Sequence, residues 1–265
     1  IVSRDWSSDV CSSDLMTAVR WISWGIRLFK SLTLESAIVL HTRPYKETSL
    51  IVDSFTRNHG RVSFVAKGAK RPKSKIGVIK TPSCLFLISC RGKGDLKTLT
   101  HCEINTYFDP SSENFNSLIY LNELLIKLLE KEDPHPEIFD HYLKVCDFLK
   151  HLGKKDLGTH LRFFELNLLK EIGYGLDLKF EANSDNEIKE ENKYAFDPIR
   201  GFQLLKDSSD KKNCYNGKDI INFSKGDLTS PDTFLASKQI MIEAIDFHLG
   251  NKSIKIREYL SVQGS

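Results

Sequence analysis

The chain has 265 residues, of which 40% are hydrophobic and 28% are charged, a composition typical of a soluble globular protein with room for two domains. Its 38 basic and 35 acidic residues leave a formal net charge of only +3. No run of about 18 apolar residues occurs, so we expect no membrane-spanning helix, and six scattered cysteines without a CxxC pair are typical of a reducing, cytoplasmic environment.

The N-terminal segment does not have the pattern of a folded domain. Residues 1–15 repeat a Ser-Ser-Asp unit without useful periodicity and resemble translated sequencing-adapter sequence. We therefore treat residues 1–33 as an extension outside the domains and as a candidate artefact.

The next segment, residues 34–110, has the pattern of short β-strands separated by turns. The predicted strands cover residues 37–40, 50–56, 62–66, 84–90 and 96–104. Arg43-Pro44 is expected to end the first strand, because proline lacks a backbone donor. Five short strands with glycine-containing turns predict a five-stranded oligonucleotide-binding (OB) β-barrel.

The remainder, residues 111–262, is predicted to be a helical domain. Apolar residues recur at three- and four-residue spacing over about 115–129, 138–152, 157–172 and 231–249. Gly153 and Gly173 are expected at the C-terminal ends of the second and third helices. An irregular insertion at about 179–215 includes a possible strand pair near 194–196 and 201–204, and the fold class is α+β.

Positive charge is concentrated on the predicted barrel. No acidic residue occurs between Asp53 and Asp95. The predicted nucleic-acid-binding residues are Arg43, Arg57, Arg61, Lys67, Lys70, Arg71, Lys73, Lys75, Arg91 and Lys93. Cations gathered in this way neutralise phosphates and give affinity without sequence preference, so we expect a polyanion, usually nucleic acid, as partner. The alternative is a solvated loop that only increases solubility.

Three phenylalanines lie near this basic run. Phe55, Phe64 and Phe86 could stack on bases. Because they fall on alternating strands, packing in the barrel core is the stronger interpretation.

The predicted third helix mixes cations with apolar residues. His160, Arg162, Phe163 and Lys170 are candidates for gripping an acidic peptide tail that also has hydrophobic residues. An ordinary amphipathic core helix accounts for the same pattern.

No enzymatic motif is present. The sequence contains no GxxxxGK[ST], HExxH or GxSxG, and its histidines lack metal-ligand spacing to a cysteine pair. We predict a protein that is not an enzyme, with no cofactor and no metal.

Several segments resemble the bacterial RecO family of recombination mediators. They are residues 34–52, Phe55–Val62, Lys67–Ser74, Gly92–Thr100, Tyr120–Leu124, Phe163–Leu169, Ile172–Asp177 and Leu249–Glu258. The resemblance extends from about residue 34 to 262.

The resemblance implies an OB barrel followed by a helical domain, and a protein that binds single- and double-stranded DNA and anneals complementary strands. It also implies work with RecR and RecF to load RecA onto DNA covered by single-strand-binding protein (SSB), whose acidic tail the family contacts, in the nucleoid region of the cytoplasm. Some members have a four-cysteine zinc site in the insertion. Here residues 179–215 contain only Cys214, so the chain resembles the zinc-free branch.

A second functional class stays open at this point. The chain could be a protein-binding adaptor whose helical domain docks an acidic peptide and whose affinity for DNA is incidental.

Overall fold

A closed β-barrel forms the first part of the computed structural model, which describes residues 31–112, 114–205 and 214–263. The expectations for residues 1–30 lie outside the described residues. The barrel strands are β1 (Ser31–Tyr45), β2 (Ser49–Thr56), β3 (Gly60–Ala66), β4 (Cys84–Arg91) and β5 (Leu96–Tyr107). Their order is β1-β2-β3-β5-β4, and β4 pairs with β1 to close the ring. The five-stranded barrel predicted from the sequence is confirmed.

The barrel interior follows from the alternation of side chains along each strand. Val52, Phe86 and Ile88 are fully buried, while their neighbours in sequence are only partly buried. The strand β3 pairs in parallel with β5, and all other neighbouring strands in the ring are antiparallel. This pairing pattern is that of an OB-fold.

The first strand is longer than predicted at both ends. It begins at Ser31, and Leu32 pairs with Cys90 and is buried in the barrel core. The barrel therefore begins before the predicted boundary at residue 34. At the other end Pro44 pairs with Leu50, one pair before the hairpin turn. A residue without a backbone N–H donor is tolerated there.

The second part of the chain is helical, as predicted. Its helices are α1 (Phe115–Leu128), α2 (Pro136–Phe148), α3 (Lys154–Glu171), α4 (Gly217–Lys225), α5 (Pro231–Leu249) and α6 (Lys255–Gln263). Within the described ranges, no helix combines the length and the apolar character needed to cross a membrane.

The two predicted glycine caps have different outcomes. Gly173 adopts φ +88° after α3, and the amide of Tyr174 donates to the carbonyl of Leu169, a Schellman arrangement that confirms the prediction. Gly153 does not cap α2, which ends at Phe148. Gly153 instead is the N-cap residue of α3, with extended backbone angles, so that prediction was wrong.

The insertion forms a small sheet of β6 (Lys193–Asp197), β7 (Gly201–Leu204) and β8 (Cys214–Asn216), in the order β7-β6-β8. Tyr194 and Phe202 are fully buried against the helices. The predicted strand pair is confirmed, and β8 adds a third strand that the sequence did not suggest.

The barrel and the helices share one hydrophobic core. Ile38, Leu40 and Phe55 of the barrel belong to the same buried cluster as α1 and α2. The ring centroids of Phe55 and Phe139 are 5.5 Å apart in a tilted arrangement. The helical domain is therefore packed directly on the barrel at this junction.

Replacing Phe55 by alanine tests this shared core. We expect the free energy of unfolding to fall by about 3–5 kcal/mol, because the change leaves a cavity at a fully buried ring. The same replacement at Phe247, whose side chain is 47% exposed, serves as the control and should cost less than about 1 kcal/mol. Equal losses in chemical denaturation would contradict the shared core.

Candidate nucleic-acid interface

The strand register places the basic residues at two opposite ends of the barrel. Leu50 pairs with Ala66 and Thr56 pairs with Gly60, so the β1–β2 turn and the loop after β3 lie at the same end. The β2–β3 turn lies at the other end, about 20 Å away along the seven residues of β3. That second end is the one in contact with the helical domain, because the amide of Glu132 donates to the carbonyl of Arg61.

The end away from the helices has a group of exposed basic side chains, which we call the distal cations. The distal cations are Arg43, Lys46, Lys67, Lys70, Arg71, Lys73 and Lys75. Among the described residues, none of them forms an ion pair with a carboxylate. Glu47 is the one acidic residue in the sequence of the two loops concerned, residues 46–48 and 67–75. This end of the barrel is therefore positively charged.

The backbone holds the loop of the distal cations in place. The amide of Lys70 donates to the carbonyl of Thr48 at 2.9 Å and so joins the loop to the β1–β2 turn. Two further backbone hydrogen bonds close successive turns. The amide of Arg71 donates to the carbonyl of Gly68 at 3.0 Å, and the amide of Ser74 donates to the carbonyl of Arg71 at 3.2 Å. The loop is pre-arranged, which reduces the entropy lost when a ligand binds.

Lys46 was not among the predicted binding residues, although Arg43, which also precedes the acid-free run, was. A signal for it exists in the sequence. Pro44 and Tyr45 end β1, Lys46 begins the turn of the first hairpin, and the hairpin brings Lys46 beside the basic loop.

Arg57 is bound to the helical domain. Its Nε and Nη2 atoms donate to the two carboxylate oxygens of Asp140 at 2.9 and 2.8 Å. The hydrogen bond from Arg57 lowers the pKa of the Asp140 carboxyl below its usual value. The charge of Arg57 is therefore already paired with a carboxylate, unlike the charges of the distal cations.

Arg61 caps the end of α1. Its Nη1 atom donates to the carbonyl of Ile126 at 2.5 Å and to that of Leu129 at 2.6 Å. These carbonyls are among those that the last turn of a helix leaves without a partner, and a cation there also opposes the helix dipole. Burial lowers the pKa of Arg61 from its ordinary value. The arginine is a structural link between barrel and helices.

Arg91, the last residue of β4, and Lys93 in the β4–β5 turn are exposed at the junction end of the barrel. The predicted set therefore does not form one surface, which corrects the expectation of a single cationic face. Seven cations lie at the distal end once Lys46 is included. Arg57 and Arg61 are engaged by the helical domain, and Arg91 and Lys93 lie apart.

Lys97 is a basic residue at the junction that the sequence did not single out. Its side chain is fully buried, and its ammonium group forms an ion pair with Glu132. A buried lysine needs such a partner, so the pair fixes the start of β5 against the segment between α1 and α2.

The three phenylalanines near the basic run do not face solvent. Phe55, Phe64 and Phe86 are each 0% exposed. Their interpretation as core residues is confirmed, and stacking on bases by these rings is excluded in this fold.

One of the four candidate peptide-binding residues, Arg162, is taken up by contacts inside the helical domain. Arg162 is buried and donates to Glu165 at 2.5 Å, inside a network that also contains the hydroxyl of Tyr120. His160 stacks on Phe148 with ring centroids 4.1 Å apart. The remaining two, Phe163 and Lys170, differ in burial: Phe163 packs towards Phe223, while Lys170 is exposed.

The described residues contain no group of three histidine, cysteine or acidic side chains that could hold a metal ion. Burial raises the pKa of the Cys90 and Cys102 thiols to about 12, so both remain protonated at neutral pH. These barrel cysteines act as small apolar core residues.

Comparison with known proteins agrees with this architecture. Residues 31–108 match the family model "Recombination protein O N terminal", and residues 113–258 match "Recombination protein O C terminal". The chain belongs to the recombination protein O family. The two matches divide the chain at the same point as the barrel and the helices do.

Curated relatives are similar over most of their length. The DNA repair protein RecO of Aromatoleum aromaticum is 36% identical over 229 residues, which are 85% of this chain and 94% of the relative. The protein of the same name from Polynucleobacter asymbioticus is 36% identical over 230 residues, again 85% and 94%. That from Burkholderia pseudomallei is 37% identical over 229 residues, 85% of this chain and 82% of the relative.

The structural role of Arg61 can be separated from a role in DNA binding. We expect Arg61→Ala to lower the free energy of unfolding by about 1–3 kcal/mol, because two carbonyls at the end of α1 lose a charged donor. The salt dependence of DNA binding should stay as in the wild type. A variant of normal stability with a flattened salt dependence would place Arg61 at the DNA instead.

Proposed function

We propose that this member of the recombination protein O family is a DNA repair protein that binds single- and double-stranded DNA and anneals complementary strands. The observation that supports the proposal is the group of distal cations, which is exposed, held in place and without paired carboxylates among the described residues. The names of the curated relatives, all of which are DNA repair proteins, point to the same process.

The chemistry of this surface suits a phosphate backbone. Lysine and arginine at the distal end neutralise phosphates and release condensed counterions, which gives affinity that does not depend on base sequence. Two strands that are both held by such a surface repel each other less. Pairing can then proceed without nucleotide hydrolysis.

The partners remain proposals that rest on the family resemblance. We infer that the protein contacts the acidic C-terminal tail of SSB, acts with RecR and RecF, and helps to load RecA in the nucleoid region of the cytoplasm. For the SSB tail, the exposed Lys170 is a better candidate than Arg162, whose charge is already paired with Glu165 inside the helical domain.

The contacts of the third helix weaken the alternative that the chain is a protein-binding adaptor. It depends on a pocket built from His160, Arg162, Phe163 and Lys170, and the charge of Arg162 is already paired with Glu165 inside the helical domain. The distal cations, in contrast, lie together on one end of the barrel.

Replacing Lys70, Arg71 and Lys73 together by alanine tests the proposal. If about five phosphates are neutralised, the logarithm of affinity for single strands should fall with the logarithm of salt concentration with a slope of roughly −3 to −4. The triple variant should flatten that slope by about 2, since each lost contact removes about 0.7. Fluorescence anisotropy of a labelled strand over a salt series measures the slope.

A matched control removes the same charge elsewhere. Lys218, Lys225 and Lys238 are exposed on the helical domain, and their triple alanine variant should keep the wild-type slope. Annealing of complementary strands, bare or coated with SSB, gives a second readout that should slow only in the barrel variant. An unchanged slope in the barrel variant would rule out this loop as the DNA contact.

A further inference from the structure

A cleft of about 330 Å³ lies between the β1–β2 turn and the basic loop. One wall is formed by Tyr45 and Lys46, and the other by Lys67, Gly68 and Arg71. The hydrogen bond from the amide of Lys70 to the carbonyl of Thr48 joins the two walls near the base of the cleft. The cleft is therefore a fixed feature of the distal end.

Tyr45 gives this cleft an aromatic surface. It is half-buried at the end of β1, and the ammonium group of Lys46 lies 5.5 Å from the centroid of its ring. A cation over the ring shows that this face is not covered by the protein core. Lys46 forms no ion pair among the described residues, so no salt bridge is broken when its flexible side chain moves off the ring.

The opposite wall supplies positive charge at close range. Lys67 and Arg71 are exposed at the rim, and Gly68, with φ +74°, turns the chain between them. A side chain at Gly68 would be strained and would contact Arg71, where an added Cβ atom would lie 3.6 Å from its Cδ. Glycine keeps this wall open.

An aromatic ring flanked by cations is suited to an unpaired nucleotide. A base has a flat face that stacks on tyrosine whatever its identity, and the adjoining phosphates need positive charge. A base within a duplex is already stacked on both faces and paired at its edge. It cannot enter a cleft of this kind without being extruded.

We propose that this cleft binds one unpaired nucleotide, with its base stacked on Tyr45 and its flanking phosphates bound by Lys46, Lys67 and Arg71. The cleft then gives the barrel a preference for single strands that the distal cations alone do not supply. This inference rests on the proposed function, since it concerns the same DNA-binding end of the barrel.

The test compares three ligands on the full-length protein. They are an oligothymidine strand, a strand of the same length made of abasic sites, and a duplex, each measured by fluorescence anisotropy at one salt concentration. The abasic strand keeps the phosphates and lacks the bases. The wild type should bind oligothymidine more tightly than the abasic strand by roughly fivefold to one hundredfold, the range typical of one stacked base.

Two variants isolate the ring. Tyr45→Ala should lose the preference for oligothymidine over the abasic strand, and Tyr45→Phe should keep it, because phenylalanine retains the aromatic face. Affinity for the abasic strand and for the duplex should be the same in all three proteins. Thermal unfolding of each variant confirms that it is folded before binding is compared.

Two results would overturn the inference. One is an absence of any preference for oligothymidine in the wild type, and the other is an equal loss of affinity for all three ligands in Tyr45→Ala. Failure of the proposed function gives a different result, because the wild type would then bind none of the three ligands.

Discussion

Charge pairing at the junction between barrel and helices decides which basic residues remain available for a ligand. Arg57 binds Asp140, Arg61 binds the carbonyls at the end of α1, and Lys97 binds Glu132. Each contact joins the barrel to the helical domain or to the segment between α1 and α2. The helical domain therefore occupies one end of an otherwise basic barrel and leaves the distal end uncompensated.

The barrel topology explains why the two ends differ so sharply. Antiparallel pairing of β1, β2 and β3 places the β1–β2 turn and the loop after β3 together, while the β2–β3 turn points towards α2. A residue at one end is about 20 Å from a residue at the other, which is well beyond a Debye length of about 8–10 Å at physiological salt. The distal cations thus act as one group, and those at the junction do not contribute to their field.

Much of the fold could be predicted from the sequence, because the strands alternate in polarity and the helices repeat at 3.6 residues. The five barrel strands, the third helix with its cap at Gly173, and the strand pair of the insertion follow from such local patterns. The early start of β1 does not, since Leu32 is buried only through its pairing with Cys90 of a distant strand. Gly153 shows a similar limit, because glycine suits either end of a helix and the neighbouring helix decides which.

The candidate site was less predictable, since a count of charges in sequence does not show which of them are paired. The acid-free run between Asp53 and Asp95 identified the basic barrel and missed that Asp140 lies against Arg57. It also missed Tyr45 and Lys46, which precede the run in sequence and join it only through the hairpin register. Burial also separates the aromatic residues: the phenylalanines of the strands fill the core, and Tyr45 at the end of β1 lines an open cleft.

The most direct test of this account is backbone hydrogen exchange of the full-length protein with and without a bound single strand. The account predicts slower exchange in residues 45–49 and 67–74, where the distal cations and Tyr45 lie, and unchanged exchange in residues 57–61 and 91–94 at the junction end. Protection confined to residues 57–61 and 91–94, with none in the distal loops, would contradict it.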